Sequence, residues 1–214
     1  MYLPQHFAET RPEILQQAIL ESRLPIVVTL GDDGLEASHI PLLYDPQPAP
    51  DGSAPHGTLF GHIARANRQW RRYRTDIDTM AIFQGPDVYV TPSWYKTKRE
   101  TGKVVPTWNY IAVHAYGRLR IFEDATELRQ LVTRLTNRHE SGRAKPWAVA
   151  DAPNDYIDAQ LKGIIGLVLP ISRWEGKWKM SQNRNAADRA GVAAGLRDEG
   201  QPGLARLIDD ASAS

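Results

Sequence analysis

Three short segments of the sequence combine a cationic or amide side chain with a neighbouring hydroxyl, imidazole or indole group. They span residues 61–67, 105–110 and 177–184. Cations and amides donate hydrogen bonds to phosphate and carbonyl oxygens, and an indole can cover the face of an aromatic ring. Together the segments suit a flat, anionic ligand such as a flavin phosphate, which would itself carry any redox step. The alternative is that the aromatic and amide residues of the second segment only pack within a strand.

The first segment is predicted to lie where a strand passes into a helix. Residues 58–63 have the pattern of a strand, and residues 64–67 are expected to form the first turn of a helix. Free backbone N–H groups and the helix dipole favour an anion there, and a guanidinium can add two parallel hydrogen bonds. We therefore expect His62, Arg65 and Asn67 to hold a phosphate. Four further arginines follow, and the alternative for them is a solvated helix face: Arg68, Arg71, Arg72 and Arg74.

The third segment places two lysines on one face of a predicted strand. Lys177, Lys179 and Ser181 alternate along the chain, so their side chains are expected to point the same way. Two like charges about 7 Å apart are unfavourable unless water or an anion meets them. The row therefore faces either a ligand or solvent. The full set of candidate cofactor-binding residues is His62, Arg65, Asn67, Thr107, Trp108, Asn109, Lys177, Lys179, Ser181, Gln182 and Asn183.

The segments are carried by a chain that is predicted to be mainly β. Residues 104–122 alternate with period two over a length that requires a bend, for which Gly117 is the expected place. Residues 80–83 and 87–91 are predicted to be short strands joined by a turn at 84–86. Residues 164–171 are predicted to be a buried strand that runs on to about residue 184. Six or seven such strands, joined mostly as hairpins, indicate an antiparallel barrel with helices outside it.

Helices are predicted at residues 11–22, 124–140 and 154–162, and over most of the last thirty residues. Asp124 begins the second of these as the first residue of a capping box. The charged stretch at 96–103 is expected to be a loop. We expect one split-barrel domain at residues 1–183, including the N-terminal and inserted helices, and a helical extension at 184–214.

Composition excludes several classes of protein. The chain has 214 residues, a net charge of +1 and no cysteine, which rules out disulfides and cysteine-ligated metal sites. His139 and Glu140 lack the spacing of a zinc motif, so no metal site is predicted. Neither a signal peptide nor an apolar run long enough to span a membrane is evident. A cytoplasmic protein without membrane contacts is expected.

The same segments resemble the PaiB family of the FMN-binding split-barrel superfamily, some of whose members are described as negative transcriptional regulators. The resemblance covers about residues 1–196. Its motifs are Gly-His-Ile-Ala-Arg-Ala-Asn at 61–67, Tyr-Val-Thr-Pro-Ser-Trp-Tyr at 89–95, Val-Pro-Thr-Trp-Asn-Tyr at 105–110 and Lys-Trp-Lys-Met-Ser-Gln-Asn-Arg at 177–184. The resemblance implies a split β-barrel of six strands, a homodimer, and a flavin at the dimer interface. It also implies that the phosphate contacts His62, Arg65 and Asn67.

Three functions remain open at this point. The first is an FMN-binding protein that acts as a flavin-dependent sensor or regulator, or as a weak oxidoreductase. The second is a haem-binding split barrel with His39, His62 or His114 as axial ligand. The third is a transcriptional regulator that acts on DNA or through a partner. The near-neutral charge and the lack of a helix-turn-helix pattern give DNA binding weak support.

The dimer implied by the resemblance is expected to close an open seam of the barrel. Trp94, Tyr95 and Trp108 are the aromatic residues expected near that seam. We expect a two-fold homodimer that buries more than the roughly 1,600 Å² typical of stable complexes.

Overall fold

The computed structural model describes residues 1–213 and shows an α+β fold built on antiparallel strands, which confirms the predicted fold class. The helices are α1 (Pro12–Glu21), α2 (Gln69–Arg72), α3 (Lys96–Thr101), α4 (Ala125–Glu140), α5 (Asn154–Leu161), α6 (Ala186–Asp198) and α7 (Pro202–Ala213). The strands are β1 (Ala8–Glu9), β2 (Ile26–Gly31), β3 (Gly34–His39), β4 (Leu43–Asp45), β5 (Thr58–Ala64), β6 (Thr79–Val90), β7 (Thr107–Gly117), β8 (Arg120–Phe122), β9 (Ile164–Pro170) and β10 (Arg173–Lys179).

The chain folds into two compact units, each built from separate stretches of sequence. Unit 1 comprises Met1–Leu15, Gln84–Val113 and the chain from Glu175 onward. Within it, β1, β10, β7 and β6 are neighbours in that order. Helices α6 and α7 pack together, and their apolar residues share one core with Tyr95 and Met180. The predicted C-terminal helices therefore contribute to the core of this unit.

Unit 2 comprises Gln16–Phe83 and His114–Trp174. Strand β2 pairs with β3 and with the first residues of β6, and a second sheet has the order β4-β5-β9-β8. Helix α4 packs its apolar residues, Leu128, Leu131 and Leu135, into two small cores. Asp124 caps α4 as predicted, because its Oδ1 accepts hydrogen bonds from the backbone N–H groups of Thr126 and Glu127, both at 2.9 Å.

The two long strands, β6 and β7, both differ from the prediction. The predicted turn at residues 84–86 is wrong, because β6 runs without interruption through it. A Cβ atom at Gly85 would lie 2.9 Å from the Cβ atom of Ile111, so this glycine permits close strand packing and does not form a turn. The single strand predicted for residues 104–122 is also wrong: β7 ends at Gly117, where the bend was expected, and β8 begins at Arg120 in the other sheet.

The strand-to-helix junction predicted for residues 64–67 is also wrong. Strand β5 extends to Ala64, a turn closes with the Asn67 N–H donating to the Ala64 carbonyl at 2.9 Å, and α2 begins only at Gln69. Arg65 therefore lies in a turn, and α2 is too short to supply the helix dipole on which the prediction depended. The predicted loop at 96–103 is instead α3, which ends at Gly102 in the left-handed conformation.

The predicted strand over residues 164–184 is two strands. Strand β9 ends at Pro170 and β10 begins at Arg173 and ends at Lys179. Ser181 lies beyond β10 and has a positive φ of 65°, which is uncommon for a residue with a side chain. Lys177 and Lys179 therefore alternate along one strand as expected, but the extension of that row to Ser181 is wrong.

Among the described residues, no helix combines the length and the apolar character that a membrane crossing requires. The same residues contain no group of three histidine or acidic side chains that could bind a metal ion.

Candidate functional site

The predicted cofactor-binding residues fall into two clusters, one in each unit. The first, which we call the histidine cleft, belongs to unit 2 and is lined by Ala37, Ser38, His39, Ile40, His62, Ile63, Ala64, Asn67 and Ile164. The second, the lysine cluster, belongs to unit 1 and consists of Thr107, Trp108, Asn109, Lys177, Lys179, Ser181, Gln182 and Asn183.

The histidine cleft is an open cavity of about 440 Å³, within the range of small-molecule sites. The Asn67 side-chain amide donates to the Ser38 hydroxyl at 2.9 Å, and the Asn67 carbonyl oxygen accepts from the Gln69 backbone N–H at 3.0 Å. Buried Gln69 in turn donates to the Thr29 hydroxyl at 3.1 Å and to two backbone carbonyls. Asn67 is thus held by the backbone N–H of Gln69, a residue whose buried side-chain amide contacts β2 and β3.

His62 is the titratable group whose environment in the cleft is most unusual. Its Nδ1 atom is buried and has no hydrogen-bond partner among the described residues. Burial lowers the pKa of His62, so the free protein favours the neutral imidazole. A buried polar atom without a partner is costly, and a ligand that bonds to it recovers that cost. No carboxylate lines the cleft.

Arg65, which does not line the cleft, is already engaged by three oxygen atoms of unit 2. Its Nε donates to the Lys162 carbonyl at 2.7 Å, and its Nη1 donates to Oε2 of Glu123 at 2.6 Å. Nη2 reaches the Ile164 carbonyl at 3.4 Å. The guanidinium has five N–H donors, so part of its capacity remains for a phosphate, but Glu123 competes for it. The phosphate contact of Arg65 stays a prediction.

The arginines after Arg65 are consistent with a solvated surface. Arg72 pairs with Asp33 and Arg74 with Asp76, each at 2.7 Å, and all four side chains are largely exposed. Arg71 lies 4.5 Å from the centre of the Trp70 ring. These contacts support the alternative interpretation for Arg71, Arg72 and Arg74.

The lysine cluster has two cations in different environments. Lys179 donates to the Thr107 hydroxyl at 2.5 Å and to the Trp108 carbonyl at 2.7 Å. Burial, and to a lesser extent the charges of Lys177 and Arg184, lower the pKa of Lys179. Lys177 is only 6% exposed, so the solvated-edge alternative is wrong for this residue.

Lys177 is held by the N-terminal residues and by an aromatic ring of β7. Its ammonium group donates to the Tyr2 carbonyl at 2.9 Å and lies 5.2 Å from the centre of the Tyr110 ring. Cation–π contacts of this kind strengthen when water is excluded. This lysine therefore has partners inside unit 1 before any ligand binds.

Ser181, Asn109 and Gln182 stabilise the turn after β10. Buried Asn109 donates to the Ser181 hydroxyl at 2.9 Å. Gln182 accepts from the Met180 N–H at 2.7 Å and donates to the Trp178 carbonyl at 2.6 Å. These bonds hold the positive φ of Ser181, so three predicted ligand contacts have a structural role in this turn.

Trp108 and Asn183 are the exposed members of the lysine cluster. The Trp108 indole is 53% exposed and meets Tyr89 edge to face, with ring centres 5.8 Å apart. An exposed indole with one face free can cover a flat ring, as the sequence predicts. Asn183 is exposed in the turn that follows β10.

Sequence reasoning missed Ser38 as a residue of the histidine cleft, and it named His39 only as a candidate haem ligand. They lie at the end of β3, and their approach to β5 is a tertiary contact without a local sequence signal. The residues of the cleft fit a phosphate, because hydroxyl, amide and imidazole groups converge there without a carboxylate.

A comparison with sequence models of protein families shows the family to which the chain belongs. Residues 1–173 match the sequence model of the family described as "Putative FMN-binding domain". The chain belongs to this family. The match confirms FMN as the cofactor predicted from the sequence.

Curated relatives extend over nearly the whole chain. An uncharacterised protein of Emericella nidulans is 38% identical over 230 residues, covering 94% of this chain and 92% of that protein. The protease synthase and sporulation protein PAI 2 of Bacillus subtilis is 32% identical and covers 98% of this chain and 97% of its own. The resemblance to the PaiB family is therefore confirmed.

A solved structure shows the same fold at low sequence identity. The FAD and heme binding protein from Mycobacterium smegmatis is 18% identical, with a TM-score of 0.57 over 88% of this chain and 80% of its own. This likeness supports the predicted split-barrel fold class.

Proposed function

We propose that this protein binds FMN and acts as a flavin-dependent sensor or regulator of the PaiB type. The observation that carries the proposal is the histidine cleft of unit 2. His62, whose buried Nδ1 has no partner among the described residues, lines a cavity without carboxylates together with a serine hydroxyl and a positioned amide. Such a set of polar groups suits the phosphate of FMN.

Bound FMN would supply redox chemistry, and the residues of this chain would bind and orient it. Ser38 and Asn67 would hydrogen bond phosphate oxygens, while His62 would gain the partner that its Nδ1 lacks. Arg65 would contribute a charge-assisted bond with the N–H donors that Glu123 and the carbonyls leave over.

A sensor or regulator is favoured over an efficient enzyme because neither cluster pairs a carboxylate with a second acid or base. The candidates for a general base in the histidine cleft are the imidazole side chains of His39 and His62. The relative in Bacillus subtilis bears a name that refers to protease synthesis and sporulation. A weak oxidoreductase activity carried by the flavin alone is the second form of the proposal.

A partner other than DNA is the favoured target of such a regulator. The net charge is +1, and Arg72 and Arg74 are paired with aspartates. DNA binding by charge needs several free cations on one surface. We propose a protein or small-molecule partner.

The test is to purify the protein without added cofactor, denature it, and identify the released molecule by absorbance and mass. FMN in near-stoichiometric amount, or micromolar binding of added FMN, supports the proposal. Protein that neither releases nor binds FMN contradicts it. Oxidation of NADH or NADPH by the loaded protein, compared with free FMN, then separates the oxidoreductase from the sensor.

Haem is the second candidate ligand, and the partnerless Nδ1 atom of His62 is the observation that favours it. Neutral imidazole is the form that ligates iron, and burial favours that form of His62. A Soret band on addition of haemin that disappears in His62→Ala would support this alternative. A flavin spectrum in the purified protein would contradict it.

A further inference from the structure

A second cavity of unit 2 lies between helix α4 and the second sheet. It has a volume of about 570 Å³ and is lined by Thr58, Phe60, Arg120, Ile121, Phe122, Glu127, Gln130, Leu131, Arg134 and Val168. We call it the arginine cleft. It shares no lining residue with the histidine cleft.

Strand register gives the arginine cleft an apolar floor beside a cation. Phe60 of β5 pairs with Val168 of β9, which pairs with Arg120 of β8. Residues paired across neighbouring antiparallel strands point to the same face of the sheet. The phenyl ring, the valine and the guanidinium of Arg120 therefore form one row across three strands.

Helix α4 supplies the opposite wall and a second cation. Glu127, Gln130, Leu131 and Arg134 are spaced by three or four residues, which places them on one face of the helix. The Arg134 guanidinium lies 5.5 Å from the centre of the Phe60 ring. The apolar floor is therefore flanked by a guanidinium on the sheet and another on the helix.

The two arginines of the cleft have no ion pair with any residue that the structure describes. Other arginines of unit 2, such as Arg65 and Arg129, are paired with carboxylates at 2.6 and 2.8 Å. Glu127 also lines the cleft, so the formal charge of the lining residues is +1, and Asp51, which is not a lining residue, attracts Arg120 without forming an ion pair. A ligand with a single negative charge would neutralise the lining residues.

We infer that the arginine cleft binds a small organic monoanion with an apolar body, such as an aromatic carboxylate. The carboxylate would lie between Arg120 and Arg134, and the apolar body would cover Phe60 and Val168. Arginine suits this role because its planar fork matches the two oxygens of a carboxylate. In a sensor, such a site would receive the effector. The inference does not depend on FMN binding.

The first experiment compares benzoate with its neutral analogue benzamide as probes of the full chain. Binding is followed through backbone amide resonances in two-dimensional NMR, with and without saturating FMN. Benzoate should shift the resonances of β5, β8 and α4, and its affinity should exceed that of benzamide by about tenfold. Equal affinities of the two probes, or shifts confined to other elements, would overturn the inference.

Charge-neutral variants then assign the site. Arg120→Gln and Arg134→Gln should each weaken benzoate binding by about fivefold to tenfold. Glu127→Gln removes the competing carboxylate and should strengthen it. Arg129→Gln, on the same helix but paired with Asp158, is the matched control and should leave benzoate binding unchanged.

The sign of the Glu127→Gln effect distinguishes a direct effect on the site from misfolding, because a misfolded protein would not gain affinity for benzoate. Unchanged benzoate affinity in both arginine variants would contradict the inference, whatever the result for FMN. Loss of FMN binding with benzoate binding intact would contradict the proposed function alone.

Discussion

At the residue scale, Glu123 determines how many N–H donors of Arg65 remain available to a phosphate. The carboxylate holds Nη1 at 2.6 Å in a pair that is about half exposed. We predict that Arg65→Ala weakens FMN binding by roughly tenfold to a hundredfold, the range for hydrogen bonds to charged groups. Glu123→Gln should strengthen FMN binding, because it frees the guanidinium and removes a negative charge near the phosphate. Titrations followed by flavin fluorescence measure the FMN affinity of each variant.

Riboflavin is the control for this pair of variants, since it lacks the phosphate. Neither substitution should change its affinity by more than about twofold. Equal losses for FMN and riboflavin in Arg65→Ala would mean that the substitution damages the fold. Unchanged FMN binding in both variants would place Arg65 among the structural ion pairs of unit 2.

His62 makes the stability of the protein depend on pH. Burial lowers the pKa of His62 below its usual 6.5, and burial lowers the pKa of His56 as well. Below pH 6.5 the unfolded chain therefore binds more protons than the folded one. The free energy of unfolding should fall as pH decreases from 6.5 until it passes the folded pKa values. Urea denaturation between pH 7.5 and 5 measures this dependence.

The variant His62→Gln should show a shallower fall over the same range, because it removes one of the two histidines whose pKa is lowered by burial. A slope remains, since His56 contributes with the same sign. Substitution of the exposed His139 by Gln is the matched control and should retain the slope of the wild type. A slope that His62→Gln leaves unaltered would refute the contribution of His62.

At the element scale, α6 of unit 1 packs closely against Trp94 because glycines of the helix face that residue. A Cβ atom on Gly191 would lie 2.0 Å from the Trp94 carbonyl oxygen, whereas one on Gly203 in α7 would meet no atom within 4 Å. We predict that Gly191→Ala destabilises the protein by about 1 to 3 kcal/mol through overpacking. Gly203→Ala should be neutral or stabilise it by up to about 1 kcal/mol, because alanine favours helix. Chemical denaturation of each variant measures its free energy of unfolding.

The same two substitutions, Gly191→Ala and Gly203→Ala, show whether α6 and α7 belong to the folding core or to a loosely attached extension. Both glycines lie in C-terminal helices, so a peripheral attachment would make both substitutions nearly silent. The buried Asp188 carboxylate supports the first possibility, because it accepts from the Thr97 N–H at 2.9 Å and from the Thr97 hydroxyl at 2.8 Å. These bonds connect α6 to α3 within unit 1.

At the scale of the whole molecule, the proposed homodimer needs an exposed apolar surface. Of the three aromatic residues predicted for it, Tyr95 is fully buried in the core of unit 1, and Trp94 is half-buried against the glycines of α6. Trp108 is exposed, together with Tyr89 and Val105 of the same unit. Such a patch favours association with another protein surface.

We predict a dimeric mass in light scattering at micromolar concentration. Val105→Glu should shift the mass toward the monomer, because an unpaired buried charge opposes association. Tyr156→Glu places the same charge on an exposed aromatic residue of α5 and should leave the mass unchanged. A monomeric wild-type protein would refute the prediction.

Much of the fold could be predicted from the sequence because its signals are local. Period-two alternation identifies β7, the capping box at Asp124 places the start of α4, and Gly117 marks the end of β7. Each depends on residues that are neighbours in the chain. The motifs that carry the family resemblance are likewise contiguous.

The rest of the fold and of the candidate site depends on tertiary contacts. Gly85 lies in a continuous strand because Ile111, 26 residues later in the chain, packs where a side chain would be. Arg65 is engaged by Glu123, 58 residues later, and Lys177 by residues at the N-terminus. The arginine cleft joins three strands to α4 through pairings that no local pattern encodes. Residue types and spacing determine which groups can act as donors, but folding determines which of them already have partners.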